Sequence, residues 1–336
     1  MSRPVGWGIL GSATIARRCM IPAIAASSNG RLVALGTRSP EAARPVAEAH
    51  AIPRLYSAYE DVLADPDVDA VYIPLPNHLH RPWTIRALEA GKHVLCEKPM
   101  ALNAAEATEM GEAADAHGRL LMEALMYRFH PRTLRVRELI DGGAIGRPCL
   151  VHAAFCFVMD RHTVAAGTAP RLRPEMGGGA LLDVGCYCVG VAGWLLGGEP
   201  DSVQARAIHH PGGVDIAISG TLRFGDAALA TVEASFASGL RQTYSVSGDR
   251  GTIELPHDAF IPGERDAVLM WRGRDDKHGT VEVVPGADEY RLMVEHFAGA
   301  IVGLGALAFP WQESVANMRV LDALARSARA GEAIRP

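Results

Sequence analysis

The sequence predicts an α/β protein of two domains. The first, over residues 1–124, is a doubly wound parallel sheet; the second, over residues 125–336, is an α/β domain with a large, mostly antiparallel sheet. Three observations carry this. Six short apolar runs alternate with helical patterns in the first 124 residues, as in a parallel sheet with helices on its faces. The first run is followed at once by a glycine turn and a helix. From about Pro148 the alternation gives way to strands separated by Gly and Asp turns, the pattern of antiparallel pairing.

The first run is Val5 to Leu10. It leads into Gly11-Ser12-Ala13-Thr14-Ile15-Ala16 and a helical pattern to Ala26. The turn varies the dinucleotide fingerprint as Gly-x-Ala-x-x-Ala: Gly11 permits the turn, Ala13 lets backbone approach a pyrophosphate, and Ala16 lets the helix pack close on the strand. The helix start offers free N–H groups and the positive end of a dipole to phosphates. Gly11, Ser12, Ala13, Thr14 and Ile15 are therefore candidate cofactor-binding residues. The second strand, Arg31 to Thr37, ends where NAD-specific sites place an acid for the ribose 2′-OH. Here Thr37-Arg38-Ser39 stands instead, with no acid before Glu41. A guanidinium flanked by hydroxyls suits a 2′-phosphate. The cofactor expected is NADP, with NAD the second choice.

A helix near Pro40 to Ala49, the segment Arg54 to Tyr56, a helix Ala58 to Leu63 capped by Ser57, and a turn at Asp65-Pro66-Asp67 follow. The buried strand Ala70 to Ile73 ends at Pro74-Leu75-Pro76-Asn77-His78-Leu79-His80. Ligands bind at the carboxyl ends of such strands, so Pro74, Leu75, Asn77 and His80 join the cofactor set. Asn77 reads as a helix N-cap. His78 and His80 diverge at a helix start with no Cys or paired acid beside them, so they are expected to line a nicotinamide and no metal site is expected. A helix Arg81 to Ala90 stops at Gly91. Val94-Leu95-Cys96 then runs into Glu97-Lys98-Pro99-Met100. Pro99 ends the strand, leaving Glu97 and Lys98 where a reacting group is wanted. A helix Asn103 to Ala116 and a strand Leu120 to Ala124 complete the domain.

Glu123 to Pro131 is aromatic and basic, a helix Leu134 to Ile140 follows, and Gly142-Gly143 marks a boundary. Leu150 to Val158 alternates as a strand, and Met159 to Pro174 reads as a charged loop. Gly177-Gly178-Gly179 opens an apolar helix, Ala180 to Leu196, which is short, carries Asp183 and reads as buried, not membrane-spanning. Asp183 and Tyr187, four apart, share a face. A carboxylate and a phenol on an apolar helix need partners or a task. Strands are expected at Ser202 to Ala207, Ile216 to Phe224, Ala228 to Phe236, Gln242 to Ser247, Thr252 to Leu255, Ala267 to Trp271 and Thr280 to Val284. Helices near Glu289 to Val302 and Ser314 to Ala330 close the chain and are expected to pack back on the first domain. Tyr127, Arg128, Phe155, Phe157, Arg161 and His162 are candidate substrate-pocket residues.

A net charge of -5 offers no basic face to nucleic acid. The six cysteines are scattered with no C-x-x-C, as for reduced thiols in a cytoplasmic protein. Arg17 and Arg18 interrupt what would otherwise mimic a signal peptide. No membrane or nucleic-acid partner is expected.

Taken together, Gly11 to Ala16, Pro76 to His80, Glu97-Lys98-Pro99, Glu123 to Pro131, Gly177 to Tyr187 and Glu295-His296-Phe297 resemble the Gfo/Idh/MocA oxidoreductase family. The resemblance is to the branch of dihydrodiol dehydrogenase, NADP-dependent xylose dehydrogenase and glucose–fructose oxidoreductase. It covers nearly the whole chain. It implies an N-terminal Rossmann domain, an open C-terminal sheet that forms homodimers or homotetramers, and a catalytic set at Lys98, Asp183 and Tyr187. Many members carry His at the position of Tyr187; Tyr marks this branch. The implied reaction is hydride transfer between nicotinamide and a secondary alcohol or carbonyl of a sugar, polyol or cyclic diol. The alternatives are a keto-sugar reductase of secondary metabolism and a dinucleotide-binding regulator without turnover. A phenol of ordinary pKa, about 10, is a poor base at neutral pH, and a neighbouring Lys ammonium favours the phenolate. Tyr187 is thus the expected proton acceptor, helped weakly by a helix start. Lys98 is its electrostatic partner, and Asp183, shared between the catalytic and substrate sets, orients the hydroxyl or Lys98.

Overall fold

The computed structural model describes residues 3–274 and 276–336, without the side chains of Arg161 and Ala165; the expectation that Arg161 lines the pocket falls outside the described residues. The chain divides into two compact units. The first comprises Met1–Ala101, Ala105–Met126 and Asp288–Ser314; the second comprises Leu102–Ala104, Tyr127–Ala287 and Val315–Pro336.

The first unit is a six-stranded parallel sheet in the order β3-β2-β1-β4-β5-β6. Its strands are β1 (Val5–Leu10), β2 (Gly30–Gly36), β3 (Arg54–Tyr56), β4 (Ala70–Ile73), β5 (His93–Cys96) and β6 (Leu121–Glu123). The chain reverses its direction of winding between β1 and β4, the switch point at which such sheets bind ligands. β1 and β4 are buried at every position, as strands covered on both faces must be. The helices are α1 (Ile21–Ala26), α2 (Pro40–Ala49), α3 (Tyr59–Ala64), α4 (His80–Glu89) and α5 (Ala104–His117). A π-helical turn, Ala16–Met20, precedes α1. Ser57 does not cap α3: the cap position is Ala58, without a side-chain hydrogen bond. Asn77 likewise opens a short 3-10 turn, Asn77–Leu79, and is not the cap of α4.

The second unit opens with α6 (Pro131–Asp141), longer than expected because the His130 ring accepts the Arg132 N–H at 3.1 Å and caps it. Its eight-stranded sheet runs β14-β13-β12-β11-β7-β10-β9-β8. The strands are β7 (Pro148–Val158), β8 (Ser202–His209), β9 (Asp215–Phe224), β10 (Ala228–Ser235), β11 (Ala237–Gly248), β12 (Gly251–Leu255), β13 (Ala267–Gly273) and β14 (Thr280–Val284). All neighbours are antiparallel except β10 and β7. The expected charged loop contains a short helix, α7 (Arg161–Ala166), which Asp160 caps through the Thr163 N–H, and two 3-10 turns. The segment 174–196 is apolar enough to cross a membrane by length and composition, but 67% of its most apolar window is buried in the fold. It ends in α8 (Cys186–Leu196), which packs on β7 and β10.

The last two helices are α9 (Glu289–Ile301) and α10 (Trp311–Ala330). α9 belongs to the first unit, where Phe297 meets the fully buried Trp7 at 5.8 Å between ring centroids.

Candidate active site

In the first unit the carboxyl ends of β1, β2, β4 and β5 carry the expected residues. Gly11 has φ +111°, and its N–H donates to the Gly36 carbonyl at 2.8 Å. A side chain there would be strained and would press on Leu75, 3.1 Å away. Ser12, Ala13 and Ile15 are half-buried and Thr14 exposed, while Ala16 is fully buried under the helix. The turn thus presents accessible backbone at a helix start, which fits a pyrophosphate. Arg38 and Ser39 are exposed at the end of β2, and the Thr37 hydroxyl accepts the Ser39 N–H. Glu41 is exposed and pairs with Arg44 at 3.0 Å. This surface fits a 2′-phosphate.

The turn Glu97–Met100 is clamped from three sides. Glu97, almost buried, accepts the Tyr72 hydroxyl at 2.6 Å, and its other oxygen accepts the Lys98 N–H. The His80 ring lies 2.9 Å from the Pro99 carbonyl and 2.7 Å from that of Leu75. The Met100 N–H donates to Glu123 at 3.0 Å. Burial lowers the His80 imidazole to about 4, against the pull of the two carbonyls, which favours the charged ring. His80 is wholly buried and both its nitrogens are engaged. The expectation that it lines the nicotinamide gives way: it braces the loop after β4 against the turn after β5. Lys98 itself is half-buried. Glu123 has no accessible surface to speak of, and burial lifts its carboxyl to about 7, only partly offset by the Met100 N–H.

In the second unit the helix start carries the other groups. Gly178 and Gly179 donate to the carbonyls of Arg173 and Arg171, and a Cβ on Gly178 would lie 2.6 Å from the Arg171 oxygen. Only glycine lets that loop fold so close. The approach brings the Arg171 Nε to 2.5 Å from Asp183, whose side chain is 14% exposed. Tyr187 is 4% exposed and ringed by Phe155 at 5.3 Å, Phe260 at 5.5 Å and Tyr127 at 5.9 Å between centroids. A phenol in such a site is poorly hydrated and responds strongly to a nearby charge.

Three expectations change here. Residues 181–185 form a π turn continuous with α8, so Tyr187 lies in the second turn of a helix begun at Ala180, beyond the reach of the helix end. Arg128 is buried with its guanidinium 4.5 Å from the centre of the Trp194 ring and supports the fold there. Tyr127 has no exposed surface and forms a layer behind Tyr187. Phe155 is nearly buried beside Tyr187, Phe157 packs on Phe236, and His162 is exposed. Arg171, Phe260 and Asp215, which bonds the Leu181 N–H, belong to this neighbourhood and were not among the expected site residues. Arg171 was legible as a charged loop residue, but its pairing depends on a glycine-mediated approach that spacing does not reveal. Among the described residues no three His, Cys, Asp or Glu side chains gather as a metal site needs.

Comparison with known proteins gives the lineage. Residues 5–125 match the family described as oxidoreductase family, NAD-binding Rossmann fold, and residues 133–254 match the GFO/IDH/MocA C-terminal domain. A D-xylose 1-dehydrogenase (NADP+) from Haloferax volcanii is 38% identical over 98% of both chains. A trans-1,2-dihydrobenzene-1,2-diol dehydrogenase from Xenopus laevis is 35% identical over 76% of both. The crystal structure of a 3-ketoreductase from Actinomadura kijaniata with NADP and TDP-benzene superposes with a TM-score of 0.88, at 29% identity, covering 97% of this chain and 98% of that one.

Proposed function

The chain belongs to the GFO/IDH/MocA oxidoreductases, and from that premise we propose that it is an NADP-dependent enzyme acting on a secondary alcohol or carbonyl of a sugar, polyol or cyclic diol. The observation that carries the reading is the pair Asp183 and Tyr187. An ion-paired carboxylate and an apolar-ringed phenol share one helix of a chain whose other unit holds a dinucleotide turn and Lys98. The exposed Arg38, flanked by the hydroxyl residues Thr37 and Ser39, supports NADP over NAD. The dinucleotide is held by the turn Gly11 to Ile15, by Thr37, Arg38 and Ser39, and by the strand ends at Pro74, Leu75, Asn77, Glu97 and Lys98.

A bound nicotinamide would supply the acceptor for the hydride of the carbinol carbon, or the donor for the carbonyl. The chain's own residues manage the proton. Tyr187 Oη accepts the hydroxyl proton as the carbonyl forms. The Lys98 ammonium lowers the cost of the phenolate and polarises the substrate oxygen. Asp183, fixed by Arg171, orients the hydroxyl. The aromatic ring about Tyr187 excludes water and so strengthens each of these interactions. Reduction runs the same roles in reverse.

The protein is proposed to be cytoplasmic and to form a homodimer or homotetramer through the open face of the eight-stranded sheet. Along the paired rows of that face lie Gln204, Thr221, Thr231, His152, Ser245, Glu254, Met270 and Val281. Val158, Ile208, Leu229 and Val283 share it and are exposed. A broad face of this mixed character suits a partner. A keto-sugar reductase is the second reading, supported by the 3-ketoreductase likeness.

The test is purified protein with NADP or NAD and a panel of aldoses, inositols, cyclic diols and keto-sugars, followed by nicotinamide absorbance. Turnover of at least one class, faster with NADP, is expected. Tight dinucleotide binding with no turnover on any member would replace this reading with that of a regulator.

A further inference from the structure

The helix bearing Asp183 and Tyr187 starts, like any helix, with backbone donors that its own residues cannot satisfy. Its N-terminal residue Ala180 supplies no side-chain cap. The cap comes from the sheet. Asp215, the first residue of β9, accepts the Leu181 N–H on Oδ2 at 2.7 Å. Gly179 makes room for it. Its φ is +118°, and a Cβ there would lie 2.3 Å from Asp215 Oδ1.

The cap has more to fix than helix stability. Residues 181–185 are wound as a π turn, and the same residues can wind as an α turn with one residue fewer per hydrogen-bonded ring. That slip rotates everything before it by roughly 100° relative to everything after it. Leu181 and Asp183 lie before or within the turn, and Tyr187 lies after it. A fixed carboxylate holding the Leu181 N–H selects one winding. Tyr187 is anchored separately, by its aromatic ring and by Asn317, which donates to the Cys186 carbonyl at 3.2 Å.

We propose that Asp215 is a positioning residue for the reaction: by capping this helix from β9 it sets the angle between the Asp183 carboxylate and the Tyr187 phenol. The proposal rests on the functional reading above, and two readouts keep them apart. The first is steady-state kinetics of the whole protein. Asp215→Ala is expected to lower kcat on the order of 10²-fold, as a misplacement of about 1 Å does, with the Kd for NADP unchanged within about twofold. Asp215→Asn, which keeps an acceptor oxygen, is expected to recover most of the loss. Asp215→Glu keeps the charge but displaces it by a methylene, and is expected to lose kcat even where Asp215→Ala fails to fold. The control is Asp288→Ala. Asp288 caps α9 through the N–H groups of Tyr290 and Arg291, at 3.0 and 3.1 Å, and its loss removes an equivalent cap without touching kcat. Wild-type kcat in both Asp215→Ala and Asp215→Glu, or an equal loss in Asp288→Ala, overturns the proposal. The second readout is amide hydrogen exchange. If the wild-type protein turns over nothing, the functional reading falls, and Asp215 is judged on exchange alone. Faster exchange in Asp215→Glu confined to residues 179–188 sustains the capping role; unchanged exchange removes it.

Discussion

Tyr127 and Tyr187 touch ring to ring, yet the two phenols are set to different tasks. The Tyr127 hydroxyl is buried without a hydrogen-bond partner among the described residues, beside the backbone of Gly190. Burial drives its pKa far up, so it is no acid or base at neutral pH. An orphaned hydroxyl costs about 1–3 kcal/mol, and removing it while keeping the ring recovers part of that. Tyr127→Phe should therefore leave the melting temperature unchanged or raise it; a large drop would show that the hydroxyl is satisfied. Arg171 offers the opposite case. Its ion pair with Asp183 is 55% exposed on the arginine side, and such pairs contribute about 0–1 kcal/mol to stability. Its value lies in where it holds the carboxylate. Arg171→Ala is expected to cut kcat/KM by roughly tenfold or more while urea unfolding shifts by less than about 1 kcal/mol. A loss of stability without a loss of kcat/KM would assign the pair to the fold alone.

At the scale of elements, the turn after β5 shows how a strand end is made rigid enough to hold a reacting group. Tyr72, His80 and Glu123 grip it from β4, α4 and β6. Glu123 gives this clamp a pH signature. Its folded pKa, about 7, lies above the ordinary carboxylate value, so the native state keeps a proton that the unfolded chain gives up. Its contribution is present in full below the unfolded pKa and is lost as pH rises through about 7, up to about 3 kcal/mol. Glu123→Gln, which mimics the protonated acid, should be more stable than wild type at pH 8, with the difference vanishing near pH 5. Equal stability at both pH values would show that the carboxyl is not held protonated. The strands and long helices were legible because burial on both faces, or period-2 alternation, is written in composition. The details around the site were not. The π turn at 181–185 leaves the apolar pattern unchanged. The cap from Asp215 comes from a residue 34 positions away. Ser57 and Asn77 have the right chemistry for caps, but neither side chain caps the helix that follows it. The bracing role of His80 is set by two carbonyls from separate strand ends, which no local spacing announces.

At the scale of the molecule, the proposed reaction draws on residues of both units. The parallel-sheet unit offers a dinucleotide turn and a lysine on a clamped strand end. The antiparallel-sheet unit offers an oriented carboxylate and a phenol in an apolar ring. The assembly proposed for the open face of the larger sheet has its own test. Arginine at both Ile208 and Leu229 sets like charges on that face, and the doubly substituted protein is expected to sediment as a smaller species; unchanged sedimentation would place the interface elsewhere. The central claim is that the Tyr187 hydroxyl carries the proton that must move when hydride does. Tyr187→Phe deletes that one oxygen and leaves the ring packing. Single-turnover hydride transfer, measured together with NADP binding on the same sample, isolates it. The account predicts transfer slowed by 10²–10⁴-fold, about the worth of a general base, with NADP affinity retained. Transfer at near wild-type rate would contradict it.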